Sequence, residues 1–334
     1  MNNPRLVLLL PITRHNLTSR YIDGLEEVIS SPISMRVLII NKTQNDLDGL
    51  VSRFRNRVDN LDCSILFKHK DTGIFEGFMN LSIQENEWIM QIHDDDWVKG
   101  EIKTFNPKSR YCYYVPHGLK NEKSFFKSIN ANEWVFSAIS SFFWNTLISY
   151  FDFIGQAPLP SSDYTLNILI KALGIREQLN DYSYHYSFAN WSPRSRQGHL
   201  RNILIQNGWG DFANSRIATL NMKIDALAIS IFALLHNQSQ EVNSKLLESL
   251  ELQEMEIMKS ISRFRDAGIK SKLSQIARIN EKSSQSEWDY FTCFIDVNSI
   301  RDLPGAISKL ERLDIPALAK RAKKWSELIK GVGA

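Results

Sequence analysis

The first hundred residues alternate between short apolar runs and segments whose apolar positions have helical spacing. Continuous apolar runs predict buried strands at residues 5–12, 35–40, 63–67 and 88–92. Helical spacing between those runs predicts helices at residues 18–30, 46–58 and 72–84. Strands that alternate with helices favour a mostly parallel sheet covered on both faces, so the prediction is an α/β fold that binds ligands beyond the carboxyl ends of its strands.

The pattern changes to long helices from about residue 215. Apolar stripes predict helices at residues 217–235 and 241–264, the second from Val242, Leu246, Leu250, Met255, Met258 and Ile261. One later stretch, Tyr290 to Val297, alternates apolar and polar residues and predicts a strand. We therefore expect a sheet domain over residues 1–210 and a mainly α-helical C-terminal region over residues 211–334.

Composition and charge exclude several classes of protein. Hydrophobic residues make up 43% of the 334 positions and charged residues 23%, which is the usage of an ordinary folded protein rather than a disordered one. The net charge of +3 is too small for a dedicated nucleic-acid binder, so we expect no nucleic-acid partner. Three widely separated cysteines support neither a disulfide framework nor a cysteine zinc site. Because no leader peptide and no apolar stretch of membrane-spanning length stands out, the expected location is cytoplasmic.

Three successive carboxylates, Asp94, Asp95 and Asp96, follow the last predicted strand of the sheet. Adjacent carboxylates repel one another unless a cation shares them. Mg²⁺ and Mn²⁺ prefer oxygen ligands and are commonly held by one or two carboxylates together with substrate phosphates. In an extended chain Asp94 and Asp96 would share one face and Asp95 the other. The pattern therefore favours a site for a metal diphosphate, and the alternative is a solvated acidic turn.

Three segments, in order and at matching spacing, resemble the GT-A fold nucleotide-sugar glycosyltransferases of the broad family 2-like group. Residues 6–14, LVLLLPITR, are similar to the opening strand of that family, and residues 71–80, DTGIFEGFMN, to a helix start within it. Residues 88–97 are similar to the strand that ends in the acidic metal-binding motif. The resemblance covers about residues 5–175. It implies a Rossmann-like GT-A catalytic domain, with the nucleotide sugar bound by about residues 1–100 and the acceptor by about residues 101–210.

The resemblance also implies roles for particular residues. Asp94 and Asp96 would bind Mn²⁺ or Mg²⁺ and the sugar diphosphate, with Asp95 nearer the ribose or sugar. The nucleotide pocket would be lined by Pro11, Thr13 and Arg14, with Asp71 and Glu76 at its edge. Asn41 stands where the family has an aspartate that contacts the base, which leaves the identity of the nucleotide open.

Further candidates follow the core of the resemblance. Asp163 stands where inverting members carry the general base, although Ser-Ser-Asp before an apolar helix is also an ordinary N-cap. Arg194 and Arg196 would neutralise the leaving diphosphate, and His185 or His199 would add a metal ligand. The alternative for this stretch is an exposed loop.

The resulting hypothesis is a metal-dependent glycosyltransferase that moves a sugar from a nucleotide-diphosphate donor to a hydroxyl acceptor. Family habit suggests a glycan or lipid-linked glycan acceptor in bacterial surface polysaccharide synthesis. The basic segment 320–325 would suit peripheral contact with a membrane, although a solvated helix face is the simpler interpretation, and the helical region would suit a homo-oligomer contact. Two rivals are a sugar-nucleotide nucleotidyltransferase, whose glycine-rich loop is missing here, and a non-catalytic sugar- or partner-binding protein.

Overall fold

The computed structural model divides the chain into two compact units. The first comprises residues 1–146 and 174–191, and the second residues 147–173 and 192–334. The residues that the structure describes are 3–43, 45–68, 81–121, 137–155, 162–186, 216–237, 239–266, 289–290, 292–313 and 316–332. The helices of residues 147–173 thus group with the helical unit, whereas the sequence pattern suggested a boundary near residue 210.

The first unit is built on an eight-stranded sheet. Its strands are β1 (Arg5–Ile12), β2 (Met35–Asn41), β3 (Asp62–Phe67), β4 (Glu87–Gln91), β5 (Trp97–Lys99), β6 (Cys112–Asn121), β7 (Ala138–Ser140) and β8 (Ile175–Tyr186). Their order is β3-β2-β1-β4-β7-β6-β8-β5. Strands β3, β2, β1 and β4 are parallel, whereas β7 and β5 are antiparallel to their neighbours. The α/β fold is therefore confirmed, with one parallel and one mixed half of the sheet.

Burial on both faces explains the parallel half. Residues Leu6 to Leu10 of β1 are all fully buried between helices and neighbouring strands. Helix α1 (Ser19–Ile29) begins at Thr18, whose hydroxyl accepts the backbone N–H of Tyr21 at 3.2 Å. This helix lies so close to β5 that a Cβ at Gly24 would fall 2.1 Å from the carbonyl oxygen of Val98. Helix α2 (Asp48–Arg57) connects β2 and β3.

The four N-terminal strands and the first two helices lie where the apolar pattern predicts them, within two residues at each end. The predicted helix at 72–84 falls mostly outside the described residues. Its last four positions, 81–84, are described and are not helical. The backbone N–H of Gln84 instead donates to the side chain of Glu87 at 2.9 Å, in the turn that leads into β4.

The second unit is helical in its described parts. Its helices are the end of α3 (Ser141–Ile154), then α4 (Ser162–Leu173), α5 (Arg216–His236), α6 (Gln240–Asp266), α7 (Leu303–Leu310) and α8 (Pro316–Val332). The buried stripe of α6 is Val242, Leu246, Leu250, Ile257 and Ile261. Met255, which was expected in that stripe, is 67% exposed. The stripe advances seven residues from Leu250 to Ile257, and this step leaves Met255 on the outer face.

The predicted strand from Tyr290 to Val297 is wrong. Residues 289–290 and 292–294 are helical. The buried side chains are Tyr290, Cys293, Phe294 and Val297, at helical spacing, whereas Ile295 is exposed. A few alternating apolar residues can match the period of a strand or that of a helix. In this segment the buried side chains follow the period of a helix.

A buried ion pair anchors the last helix within the second unit. Arg321 of α8 is fully buried and donates to Asp225 of α5 at 2.8 Å. The other carboxylate oxygen of Asp225 accepts from the hydroxyl of Tyr150 and from the indole N–H of Trp325. A buried carboxylate needs such partners because burial without them is strongly unfavourable.

The basic segment of α8 is largely occupied by contacts within this unit. Lys320 donates to the carbonyl oxygen of Gly155 at 2.6 Å, and Lys324 lies 2.9 Å from Glu327. Arg321 is buried, whereas Lys320 and Lys323 are exposed and Lys324 is partly exposed. None of the helices in the described parts of the chain has the length and apolar character needed to cross a membrane.

Candidate functional site

Polar residues of the first unit collect at the carboxyl edge of the parallel strands. Ile12 at the end of β1 lies opposite Asn41 at the end of β2, and Asn41 lies opposite Phe67 at the end of β3. The acidic triplet follows β4, the other neighbour of β1. The loops after β1, β2 and β4 therefore meet at the edge where the strand pattern predicts a ligand site.

Asp94 holds the loop after β1 in place. Its carboxylate oxygen Oδ2 accepts the backbone N–H groups of Thr13 at 2.6 Å and Arg14 at 2.8 Å. The Thr13 hydroxyl lies 3.1 Å from both oxygens. The side chain is only 4% exposed. Since its oxygens are directed at protein donors, Asp94 in this geometry shapes the loop rather than offering itself to a cation.

Asp96 is surrounded by phenol groups. It is 2% exposed, and its Oδ2 accepts the hydroxyl of Tyr184 at 2.7 Å. Burial, and next the charge of nearby aspartates, raise the pKa values of Tyr21, Tyr182 and Tyr184; Asp96 acts on all three, and Asp94 and Asp95 act on Tyr21. The hydroxyls of Tyr21 and Tyr182 have no hydrogen-bond partner among the described residues. These phenols therefore stay protonated and can act as donors beside the buried carboxylate.

Asp95 is the member of the triplet that faces outward. Its side chain is 30% exposed, and its Oδ2 lies 3.4 Å from the Arg14 guanidinium, which is exposed to a similar degree. The triplet forms a turn in which the N–H of Asp96 donates to the carbonyl oxygen of His93 at 3.1 Å. The three side chains fall into the two expected sets, with Asp94 and Asp96 in one and Asp95 in the other. Asp94 and Asp96 form the buried set, so Asp95 is the carboxylate that solvent can reach.

The fit of the site to a divalent cation follows from these contacts. Among the described residues, no group of three or more histidine, cysteine, aspartate or glutamate side chains could hold a metal ion together. A preformed cage therefore does not fit this part of the chain. Mg²⁺ or Mn²⁺ held by one carboxylate and completed by substrate phosphates and water does fit, with Asp95 as the carboxylate that solvent can reach.

His185, a candidate metal ligand, lies in β8 at the end of the sheet. Its ring stacks on Trp97 with centroids 3.5 Å apart, and its Nε2 lies 3.2 Å from the hydroxyl of Ser183. Arg20 covers the Trp97 ring from 5.9 Å. The imidazole is buried in this stack, and the structure does not bring it into a ligand cluster with the triplet.

Asn41 organises the loop after β2. Its Oδ1 accepts the N–H and the hydroxyl of Thr43 at 3.0 and 2.9 Å, and its Nδ2 donates to the carbonyl oxygen of Asn45 at 2.6 Å. Asn45 then joins this loop to the loop after β1, because its side chain bonds both the ring and the backbone carbonyl of His15 at about the same distance, 3.0 and 2.9 Å. Asn41 is 1% exposed, and its side chain fixes the loop after β2, which Asn45 then joins to the loop after β1.

The remaining candidates are placed only in part. Pro11 is buried within β1. Asp163 is the second residue of α4 in the second unit, and its side chain lies outside the described part of the structure. The other five candidates also lie outside the described residues: Asp71, Glu76, Arg194, Arg196 and His199.

Sequence reasoning missed the residues that support the triplet. Tyr182 and Tyr184 occupy alternate positions in β8, a pattern that predicts two aromatic side chains on one face of a strand. Nothing in the local sequence shows which face that is. Asn45 carries no motif, and its link to His15 depends on the packing of two loops 30 residues apart.

Comparison with known proteins gives structural similarity alone. No protein-family model and no curated protein matches the sequence. The chain is similar in structure to TarS and to a mannosyltransferase.

The S. aureus TarS fragment 1–349 in complex with UDP has a TM-score of 0.43 at 12% identity, over 99% of this chain and 91% of that one. The same fragment with UDP-GlcNAc has a TM-score of 0.39 at 11% identity, with the same two coverages. The mannosyltransferase PcManGT from Pyrobaculum calidifontis, in complex with GDP-Man and Mn²⁺, has a TM-score of 0.36 at 10% identity, over 77% of this chain and 84% of that one.

Proposed function

We propose that this protein is a glycosyltransferase that binds a nucleotide-diphosphate sugar at the carboxyl edge of β1, β2 and β4, with a divalent cation, and transfers the sugar to a hydroxyl acceptor. The observation that carries the proposal is the pairing of Asp95 with Arg14 at this edge. An exposed carboxylate beside an exposed guanidinium offers a ligand for a cation and a ligand for a diphosphate in one place.

Each residue of the site has a role that follows from its contacts. Arg14 would bind diphosphate oxygens, since its planar guanidinium offers parallel donors. Asp95 would hold the cation together with those oxygens. Asp94 fixes the backbone of Thr13 and Arg14, and Asp96 is held by Tyr184. The bound cation would supply charge compensation for the diphosphate as it leaves.

The loops after β1 and β2 would receive the nucleoside. They are joined by His15 and Asn45, which places a planar ring and an amide at the same edge as Arg14. Asp71 and Glu76 would lie at the border of this pocket, as the family resemblance implies. Arg194 and Arg196 would add positive charge over the diphosphate.

The acceptor side of the proposal rests on Asp163 and on the family resemblance. Asp163 is the candidate base, and its position at the start of α4 suits both a base and an N-terminal helix residue. A glycan or lipid-linked glycan acceptor in bacterial surface polysaccharide synthesis follows from the family resemblance. The cytoplasmic location, peripheral contact with a membrane and a homo-oligomer remain proposals of the same kind.

Calorimetric titration with nucleotide sugars tests the proposal. UDP-GlcNAc and GDP-Man, the ligands of the TarS and PcManGT structures, are the first donors to titrate, each with and without Mn²⁺. We expect saturable binding of at least one donor that requires Mn²⁺. The Asp95→Asn substitution should weaken this binding about tenfold or more, because it removes a charged ligand of the cation.

A matched control is Asp59→Asn, which neutralises an exposed aspartate away from the edge and should leave donor affinity unchanged. Slow hydrolysis of the bound donor, seen as release of the nucleoside diphosphate, would distinguish an enzyme from a sugar-binding protein. Absence of binding for a full panel of nucleotide sugars, or equal affinity in the Asp95→Asn variant, would contradict the proposal.

A further inference from the structure

Arg14 contacts two members of the acidic triplet with different parts of the residue. Its backbone N–H donates to Asp94 at 2.8 Å, and its guanidinium lies 3.4 Å from Asp95. The backbone contact is partly buried, with Asp94 only 4% exposed, whereas the side chains of Arg14 and Asp95 are 28% and 30% exposed. The start of the side chain is therefore fixed while its charged end lies at the surface, where it can change partner by changing rotamer.

The carboxylate that Arg14 covers is the one that faces outward. Asp94 is occupied by the loop after β1, and Asp96 accepts from Tyr184 in a buried position. A cation that approaches this edge from solvent meets Asp95 first. The Arg14 guanidinium already lies beside the Oδ2 atom of that carboxylate. Two positive groups on one carboxylate oxygen repel each other, so the cation and Arg14 compete for Asp95.

We propose that Arg14 is an exchange residue: a divalent cation displaces its guanidinium from Asp95, and the displaced guanidinium then binds the diphosphate of the donor. This inference rests on the proposed function and adds to it the order in which Arg14 changes its binding partner. The cation alone binds weakly because it must break the Arg14–Asp95 pair without a replacement. A nucleoside diphosphate provides the replacement, since its oxygens suit the guanidinium. Cation and diphosphate therefore strengthen each other's binding, and the coupling is reciprocal.

Removal of the guanidinium separates its effect on cation binding from its effect on diphosphate binding. In the Arg14→Gln variant, Mn²⁺ alone should bind about three- to fivefold more tightly, because the competing ion pair is gone. UDP or GDP in the presence of Mn²⁺ should bind about tenfold more weakly, because the diphosphate has lost a charged donor. The gain in Mn²⁺ affinity that the nucleotide produces should shrink accordingly. A residue that merely supports the fold would not change these two affinities in opposite directions.

The experiment measures free Mn²⁺ by electron paramagnetic resonance during titration of the full chain, first alone and then with saturating UDP or GDP. Arg14→Lys keeps a positive charge and should leave the affinity for Mn²⁺ alone near that of the unmodified protein. Arg20→Gln is the matched control, because it removes a nearby arginine whose guanidinium lies over the Trp97 ring. Thermal unfolding of each variant checks that the fold is retained.

The outcomes separate this inference from the function on which it rests. Cooperative binding of Mn²⁺ and nucleotide, with tighter Mn²⁺ binding in Arg14→Gln and not in Arg20→Gln, supports the exchange. If Mn²⁺ and nucleotide bind together but Arg14→Gln binds Mn²⁺ alone no better than the unmodified protein, the exchange is wrong and the proposed function stands. If no nucleotide binds in any variant, both fail.

Discussion

The Asp94→Ala variant is expected to lose at least about 100-fold in donor turnover and about 3 kcal/mol in stability. The substitution removes the acceptor of two backbone N–H groups and of one hydroxyl, contributed by Thr13 and Arg14. Part of this contact is buried, so the donors it leaves behind lose hydrogen bonds that water replaces only incompletely. A shift of the Arg14 backbone by about 1 Å would displace the guanidinium that is proposed to bind the diphosphate.

The measurement compares Asp94→Ala, Asp94→Asn and Thr13→Ala in donor hydrolysis and in denaturant unfolding. Asp94→Asn retains one acceptor oxygen and should fall between the alanine variant and the unmodified protein. Thr13→Ala removes only the hydroxyl and should have the smallest effect on both quantities. If Asp94→Ala kept its stability and lost only affinity for the cation, Asp94 would be a metal ligand rather than a loop anchor.

Alkaline pH is expected to unfold the protein steeply above pH 10. Five fully buried phenols have pKa values raised above their ordinary value of 10.0, with burial as the first cause in each case: Tyr21, Tyr150, Tyr182, Tyr184 and Tyr290. In the unfolded chain these groups lose their protons near pH 10, whereas the folded protein retains them. The stability they contribute is complete below pH 10 and is lost as the pH rises toward the folded pKa values.

The free energy of unfolding falls with rising pH at a slope that can be calculated. Each phenol contributes about 1.4 kcal/mol per pH unit once its unfolded form is ionised, so the five together contribute roughly 7 kcal/mol per pH unit. A stability of about 5–15 kcal/mol, typical of folded proteins, would be exhausted within about two pH units. Burial also raises the pKa values of the Cys63 and Cys293 thiols from 9.0 to about 11, which starts a shallower decline near pH 9.

Simultaneous measurement of tyrosinate absorbance and circular dichroism during alkaline titration checks this result. We expect the five buried phenols to ionise together with the loss of secondary structure. Gradual ionisation of all tyrosines near pH 10 with the fold intact would contradict the buried positions assigned to these side chains.

The parallel half of the sheet could be predicted from the sequence because its strands are buried on both faces. Residues Leu6 to Leu10 are apolar without interruption, and such runs have few alternatives. The mixed half could not be predicted, since β6 and β8 contain polar residues and pair across more than sixty positions of sequence. The segment around Cys293 shows the same limit, because a few apolar positions fit either a strand or a helix until the packing is known.

The location of the candidate site could be predicted from the sequence, but the different contacts of its three carboxylates could not. A strand that runs into three aspartates was sufficient to place the triplet at the carboxyl edge of the parallel strands. The hydrogen-bond donors that distinguish these carboxylates lie far away in sequence. Thr13 is 81 positions from Asp94, and Tyr184 is 88 positions from Asp96. A local pattern contains no information about such partners, and Asp95 emerges as the outward carboxylate only from the folded arrangement.

The most direct test of the central claim is a crystal structure of the protein with Mn²⁺ and a nucleoside diphosphate. The account predicts the diphosphate at the carboxyl edge of β1 and β4, with the Asp95 carboxylate at the cation, the Arg14 guanidinium on the phosphate oxygens, and Asp94 still bonded to the backbone of Thr13. A nucleotide bound elsewhere, or a cation held by Asp94 while Asp95 points into solvent, would contradict it.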